Sequence, residues 1–207
     1  YLWSTLDGGD SWRKTEIGME TYDLHFFDGN NGIAIGENGA IKKSDDGGNT
    51  WRAISSPATT NLRNMFWLDD NRGWISGYEN VKVGEEPLFP GDPDESYIIK
   101  DKGAVLYTDD GGETWEQISE IPKRGLGKML FLADGQTGWL AAFEPIEDSD
   151  VGVTAYLYKT TDGGHTFVDA NLPIKVGVLD TGFFGTADIN AGYIFAMHWE
   201  NSSMGHL

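Results

Sequence analysis

Apolar residues along the chain come in short runs separated by clusters of Gly, Asp and Asn. Between Tyr22 and Ser55 the runs LHFF, GIAIG, AIKKS and TWRAI each read as a β-strand, with turn signals between them. The same succession returns from Arg63 to Ser119 and from Lys128 to Ala170. Before these three units stands a half unit with only the third and fourth strands. After them, around Gly182 to Trp199, come only the first and second.

The turns carry the repeat. Four boxes align: TLDGGDSW at Thr5 to Trp12, SDDGGNTW at Ser44 to Trp51, TDDGGETW at Thr108 to Trp115, and TTDGGHTF at Thr160 to Phe167. Their aspartates, Asp7, Asp46, Asp110 and Asp162, are 39, 64 and 52 residues apart. A second element places an Asp four residues before a Gly: Asp28 and Gly32, Asp69 and Gly73, Asp134 and Gly138, Asp188 and Gly192.

Chemistry explains the composition of the box. The Asp accepts hydrogen bonds from turn amides, the two Gly take conformations that a Cβ opposes, and the Ser or Thr hydroxyls tie the flanking strands. Trp12, Trp51, Trp115 and Phe167 then enter the core between neighbouring sheets, as do Trp74, Trp139 and Tyr193 after the repeated Gly. Four copies of one Asp cannot all face one site, so Asp7, Asp46, Asp110 and Asp162 read as structural.

The boxes resemble the Asp-box, or BNR, repeat of sialidases, xyloglucanases and sortilin-type receptors. Together with the Asp-x-x-x-Gly element they look most like the photosystem II stability/assembly factor family and its bacterial relatives. The resemblance implies an all-β propeller of four-stranded antiparallel blades, a binding or assembly role, and an extracytoplasmic or secreted location. Propellers have about 4 to 8 blades. The two half units sum to one blade, so the expectation for residues 1–207 is a single domain of about four blade equivalents, its last blade completed by the N-terminal strands. The alternative is a piece of a larger propeller. A chain beginning at Tyr1, with neither Met nor a signal peptide, reads as a processed form or a fragment.

Charge narrows the partners. The 33 Asp and Glu stand against 15 Lys and Arg, a formal charge of -18, which argues against nucleic acid and anionic lipid. There is no Cys, so disulfides and Cys-based metal or nucleophile sites are excluded. No apolar run is long enough to cross a membrane as a helix. No cofactor motif is present, and His25, His165, His198 and His206 lack metal-ligand spacing.

In a four-stranded meander the boxes and the Asp-x-x-x-Gly turns share one face. The opposite face receives the loops in which the repeats differ. Two acidic insertions, residues 79–102 and 144–152, belong there. Glu85, Glu86, Asp92, Asp94, Glu95, Glu147, Asp148 and Asp150 are the candidate rim for a partner with a basic segment. Ca²⁺ is a second candidate for these oxygens, without a calcium-binding spacing to support it. Solvated loops are the plainer alternative.

The competing class is a sialidase-like glycoside hydrolase. Sialidases need an arginine triad, a Tyr nucleophile with its Glu, and a Phe/Tyr-Arg-Ile-Pro motif, which is absent here. Arg13 and Arg52 follow box tryptophans on outer strands, and Arg72 lies in a turn. Arg63 and Arg124 remain as candidates near a central opening. Carboxylate pairs across the insertions stay open as acid and base.

Overall fold

The computed structural model describes residues 1–82, 97–122, 125–145, 153–171, 181–185 and 192–196. Apart from a single 3₁₀ turn at Glu37–Gly39, every regular element among them is a strand. β1 (Leu2–Ser4) and β2 (Arg13–Thr15) form a two-stranded sheet. The first full blade contains β3 (Thr21–Phe26), β4 (Gly32–Gly36), β5 (Ile41–Ser44) and β6 (Arg52–Ile54). The second contains β7 (Leu62–Trp67), β8 (Gly73–Lys82), β9 (Tyr97–Thr108) and β10 (Glu116–Pro122). The third contains β11 (Gly125–Phe131), β12 (Gly138–Pro145), β13 (Val153–Thr160) and β14 (Val168–Asp169). β15 (Thr181–Gly185) and β16 (Gly192–Ala196) form a last pair.

All pairings are antiparallel and follow chain order, giving the blade meander that the repeat predicts. Register repeats as well. The Gly of each Asp-x-x-x-Gly element lies opposite the first residue of the following box: Gly32 with Ser44, Gly73 with Thr108, and Gly138 with Thr160.

Each blade buries apolar faces against its neighbour. One cluster joins Ile33, Ile35 and Ile41 of the first blade to Leu62, Ile75, Leu106 and Trp115 of the second. Another joins Trp74, Val105 and Ile121 of the second to Leu126, Met129, Phe131 and Leu140 of the third. The core is thus a series of contacts between successive sheets, with burial of aliphatic and aromatic area as the driving term.

Three expectations are modified. First, β16 does not pair with β1: the two end pairs stand as separate two-stranded sheets, so the strand completion expected for the last blade is not formed here. Second, Trp12 is 58% exposed whereas its counterpart Trp115 is 9% exposed. Trp115 is covered by the preceding blade and by the inner strands of its own, both of which the half blade lacks. Third, residues 79–82 and 97–102, read as part of a loop insertion, continue the β8–β9 ladder, with Glu79 opposite Lys100 and Lys82 opposite Tyr97. Val81, Ile98, Ile99 and Tyr97 have the β-branched and aromatic character that favours strand.

Candidate functional site

The four boxes are built alike. The first Ser or Thr donates its hydroxyl to the Asp Oδ1 at 2.8–2.9 Å and accepts the amide of the second Gly. The same Oδ1 accepts the amide of the seventh residue, and Oδ2 accepts that residue's hydroxyl at 2.6–2.7 Å. Both carboxylate oxygens are engaged by their own turn, which gives these aspartates a structural role. The amide of the first Gly is tied to the Asp-x-x-x-Gly turn of the same blade: Gly47 to Asn30, Gly111 to Asn71, and Gly163 to Gln136. The two kinds of turn therefore share one face, as the meander predicts.

These bonds hold the aspartates in their charged form. Hydrogen bonds from Thr50 hold Asp46 at about 2. Burial pushes Asp110 up, but bonds from Thr114 and Thr108 outweigh it and leave it at about 2. Thr166 does the same for Asp162, again to about 2. Asp7 is lowered too, chiefly by Ser11. A carboxylate whose folded value lies below its unfolded value of about 3.9 stabilises the fold above that value, and the contribution is lost as pH falls through the folded value. The thermal midpoint is therefore expected to hold steady from pH 7 to 5 and to drop between pH 4 and 2. Asp46→Asn and Asp110→Asn should flatten that drop. A midpoint unchanged down to pH 2 would count against the role assigned to the boxes.

The opposite face carries a different constellation. The innermost strand of each full blade has a register shift near its start, between Thr21 and Asp23 in β3, Leu62 and Asn64 in β7, and Leu126 and Met129 in β11. Bulges re-aim side chains and are common beside functional sites. The extra residue is Tyr22 in β3 and Arg63 in β7, so two equivalent positions of neighbouring blades meet. The Arg63 guanidinium carbon lies 4.7 Å from the Tyr22 ring centre and 4.5 Å from that of Tyr78 in β8. Tyr78 is itself edge-on to Phe143 of the third blade at 5.2 Å. Burial holds both tyrosines above the ordinary phenol value, with a further push on Tyr22 from its bond to Glu20. Arg63 Nε is buried without a hydrogen-bond partner. Among the described residues no carboxylate stands within ion-pair distance of Arg63.

The other described arginines and His25 are accounted for. Arg52 pairs with Asp45 and Glu113, and Arg72 with Asp69. Arg13 is exposed on β2. His25 stacks on Trp67 and meets Phe27 edge-on, and burial lowers its pKa, so it reads as a packed side chain. Among the described residues no cluster of His, Asp and Glu has the geometry of a metal site. Glu85, Glu86, Asp92, Asp94, Glu95, Arg124, Glu147, Asp148 and Asp150 lie outside the described residues. Tyr22 and Tyr78 are missing from the sequence-based candidates, because a bulge that brings a Tyr from one blade to an Arg of the next leaves no mark in residue spacing.

No family model matches the chain. The photosystem II assembly lipoprotein Ycf48 of Synechococcus sp. (strain CC9902) is 28% identical over 130 residues, which are 51% of this chain and 39% of that protein. The photosystem II assembly protein Ycf48 of Thermosynechococcus vestitus (strain NIES-2133 / IAM M-273 / BP-1) is 29% identical over 163 residues, 65% of this chain and 47% of that one. The matched region spans less than half the length of these relatives. Among solved structures, the GH74 enzyme of Niastella koreensis aligns with a TM-score of 0.55 at 17% identity, covering 81% of this chain and 26% of that one, a likeness of fold. With its repeated four-stranded blades the chain is a β-propeller chain, similar in sequence to part of the Ycf48 photosystem II assembly proteins.

Proposed function

We propose that the chain is a non-catalytic binding or assembly scaffold that engages a protein or peptide on the face opposite the aspartate boxes. The observation that carries this reading is Arg63. A guanidinium held between two tyrosine faces, without a carboxylate among the described residues, in a chain with 33 acidic residues, is a cation kept available. It sits at the end of the blades from which the β8–β9 and β12–β13 connections emerge, and both connections carry an acidic insertion. The rim of Glu85, Glu86, Asp92, Asp94, Glu95, Glu147, Asp148 and Asp150 supplies a field for a basic segment, and Arg63, with Arg124, supplies a point of anchorage. Similarity to proteins named for assembly supports a scaffold, and the lipoprotein name of one relative supports an extracytoplasmic location. Engagement of every box carboxylate in its own turn removes the repeated aspartates as catalysts and weighs against the glycosidase alternative.

The test is affinity capture from the source cells with three baits. Arg63→Lys keeps the charge but loses the planar stack, so it should lower partner recovery about tenfold, with an unchanged circular dichroism melt. Neutralising Glu85, Glu86, Asp92, Asp94 and Glu95 should weaken capture at low salt and have little effect at high salt, since screening at 0.15 M leaves a reach of about 8 Å. Partner profiles that are identical across the baits at every salt concentration would remove this face as the binding surface.

A further inference from the structure

Arg63 offers an anion one edge of its guanidinium and no other. Its Nε is buried without a partner. The two terminal nitrogens are unpaired among the described residues but are not buried, so they form the edge that solvent reaches on this half-buried residue. A guanidinium grips two oxygens in its plane either side-on, through Nε and one Nη, or end-on, through both Nη. Burial closes the first way and leaves the second open. The guanidinium carbon lies over the Tyr22 and Tyr78 rings at 4.7 and 4.5 Å, so aromatic faces cover the flat of the group and steer a ligand to its edge.

Two carboxylates stand behind this edge. Tyr22 donates its hydroxyl to Glu20, and the charge of Glu37 also bears on Tyr22. The Glu37 amide donates to the Glu20 carbonyl at 3.2 Å, which keeps the two acids side by side. Among the described residues neither stands within ion-pair distance of Arg63. They are close enough to bear on an anion held at Arg63 and too far to neutralise the guanidinium themselves. One guanidinium balances one negative charge. A doubly charged anion would leave its second charge unpaired beside Glu20 and Glu37, after a larger loss of hydration.

Resting on the reading of this face as a binding surface, we propose that Arg63 takes one planar, singly charged carboxylate through its two terminal nitrogens, and that Glu20 and Glu37 make the site reject doubly charged anions such as sulfate. Arg63 is the binding residue. Tyr22 and Tyr78 position it, and the two acids set its selectivity. The carboxylate comes from an acidic side chain or from a chain end, two sources with the same chemistry at the point of contact.

The test needs no partner. The chain has five arginines, so their Nε–H signals form a short set in a ¹H–¹⁵N spectrum, and that of Arg63 is the one lost in Arg63→Lys. N-acetylglycine, with a main-chain carboxylate, and the α-amide of N-acetylglutamic acid, with a side-chain one, are the probes. At least one should move the Arg63 signal saturably with a millimolar dissociation constant, and the tighter of the two identifies the source that the site prefers. Uncharged N-acetylglycinamide should leave it in place. At equal ionic strength sulfate should bind about tenfold more weakly than the better carboxylate. Glu20→Gln with Glu37→Gln should raise sulfate affinity about tenfold and carboxylate affinity only about threefold, since the repulsion removed scales with ligand charge. In Arg63→Lys, followed at the Asn64 amide, carboxylate binding should fall about tenfold. No saturable shift with either carboxylate would overturn the proposal, as would sulfate bound as tightly, or selectivity unchanged in the Glu20 and Glu37 variant. Carboxylate binding together with capture profiles indifferent to Arg63 would keep this site and remove the partner reading. Capture that depends on Arg63 without carboxylate binding would do the reverse.

Discussion

Trp74→Ala is expected to lower the unfolding free energy by about 3–5 kcal/mol, the range for removing a large buried aromatic. Trp74 is 1% exposed and lies nearly parallel to Phe131 of the third blade, with ring centres 4.0 Å apart. It also meets Phe66 at 6.1 Å and Tyr107 at 5.1 Å, and its indole N–H bonds the Gly163 carbonyl. Truncation opens a cavity between two sheets whose backbones are fixed by their own ladders and cannot collapse into it. Trp74→Phe separates the contributions. It keeps an aromatic face on Phe131 and leaves the Gly163 carbonyl without its donor, so a loss of about 1–3 kcal/mol is expected. Guanidinium unfolding at neutral pH measures both. A loss below about 1 kcal/mol for the alanine variant would mean that the second and third blades do not depend on this side chain.

A comparable loss, about 3 kcal/mol or more, is expected from Gly39→Ala, by a different mechanism. Gly39 closes the turn between β4 and β5 at φ +74°, and a Cβ there would stand 2.0 Å from the Ala58 carbonyl oxygen and 2.8 Å from its carbon. Backbone cannot rotate away as a side chain does, so the turn or the segment after β6 has to move. Gly8→Ala provides the control. Its φ of +76° is almost the same, but nothing lies within 4 Å, so only the left-handed penalty of about 1–2 kcal/mol applies. The difference between the two variants isolates the collision. Equal losses would show that the segment at Ala58 yields freely.

Much of this architecture was legible because turn chemistry recurs at fixed positions. A single box reads as a turn; four boxes, three of them with an Asp-x-x-x-Gly element in the same blade, define the meander, its order and the shared face, and the bonds from Gly47, Gly111 and Gly163 to those elements confirm the sharing. Trp74 and Trp115 were assigned to the core from repeat position alone, and both are buried. The same reasoning misplaced Trp12, because burial depends on what stands next to a unit and not on its own residues. Arg63 was a candidate only by elimination among five arginines. Its clamp by Tyr22 and Tyr78 arises from one extra residue in each of β3 and β7, a displacement that residue spacing does not encode. The continuation of β8 and β9 was obscured because acidic residues interrupt the alternation that marks a strand.

The carbonyls of Gly111 and Gly163 have a consequence for how such a chain grows by duplication. One accepts the Lys43 ammonium and the other the Trp74 indole, so the acceptor is indifferent to the donor that reaches it. It is also part of the main chain and survives any substitution that keeps the turn. A newly copied unit therefore meets its neighbour with half of the junction already in place, and its side chains can drift until a suitable donor appears. Exchanging the donor at such a junction therefore takes one substitution instead of two.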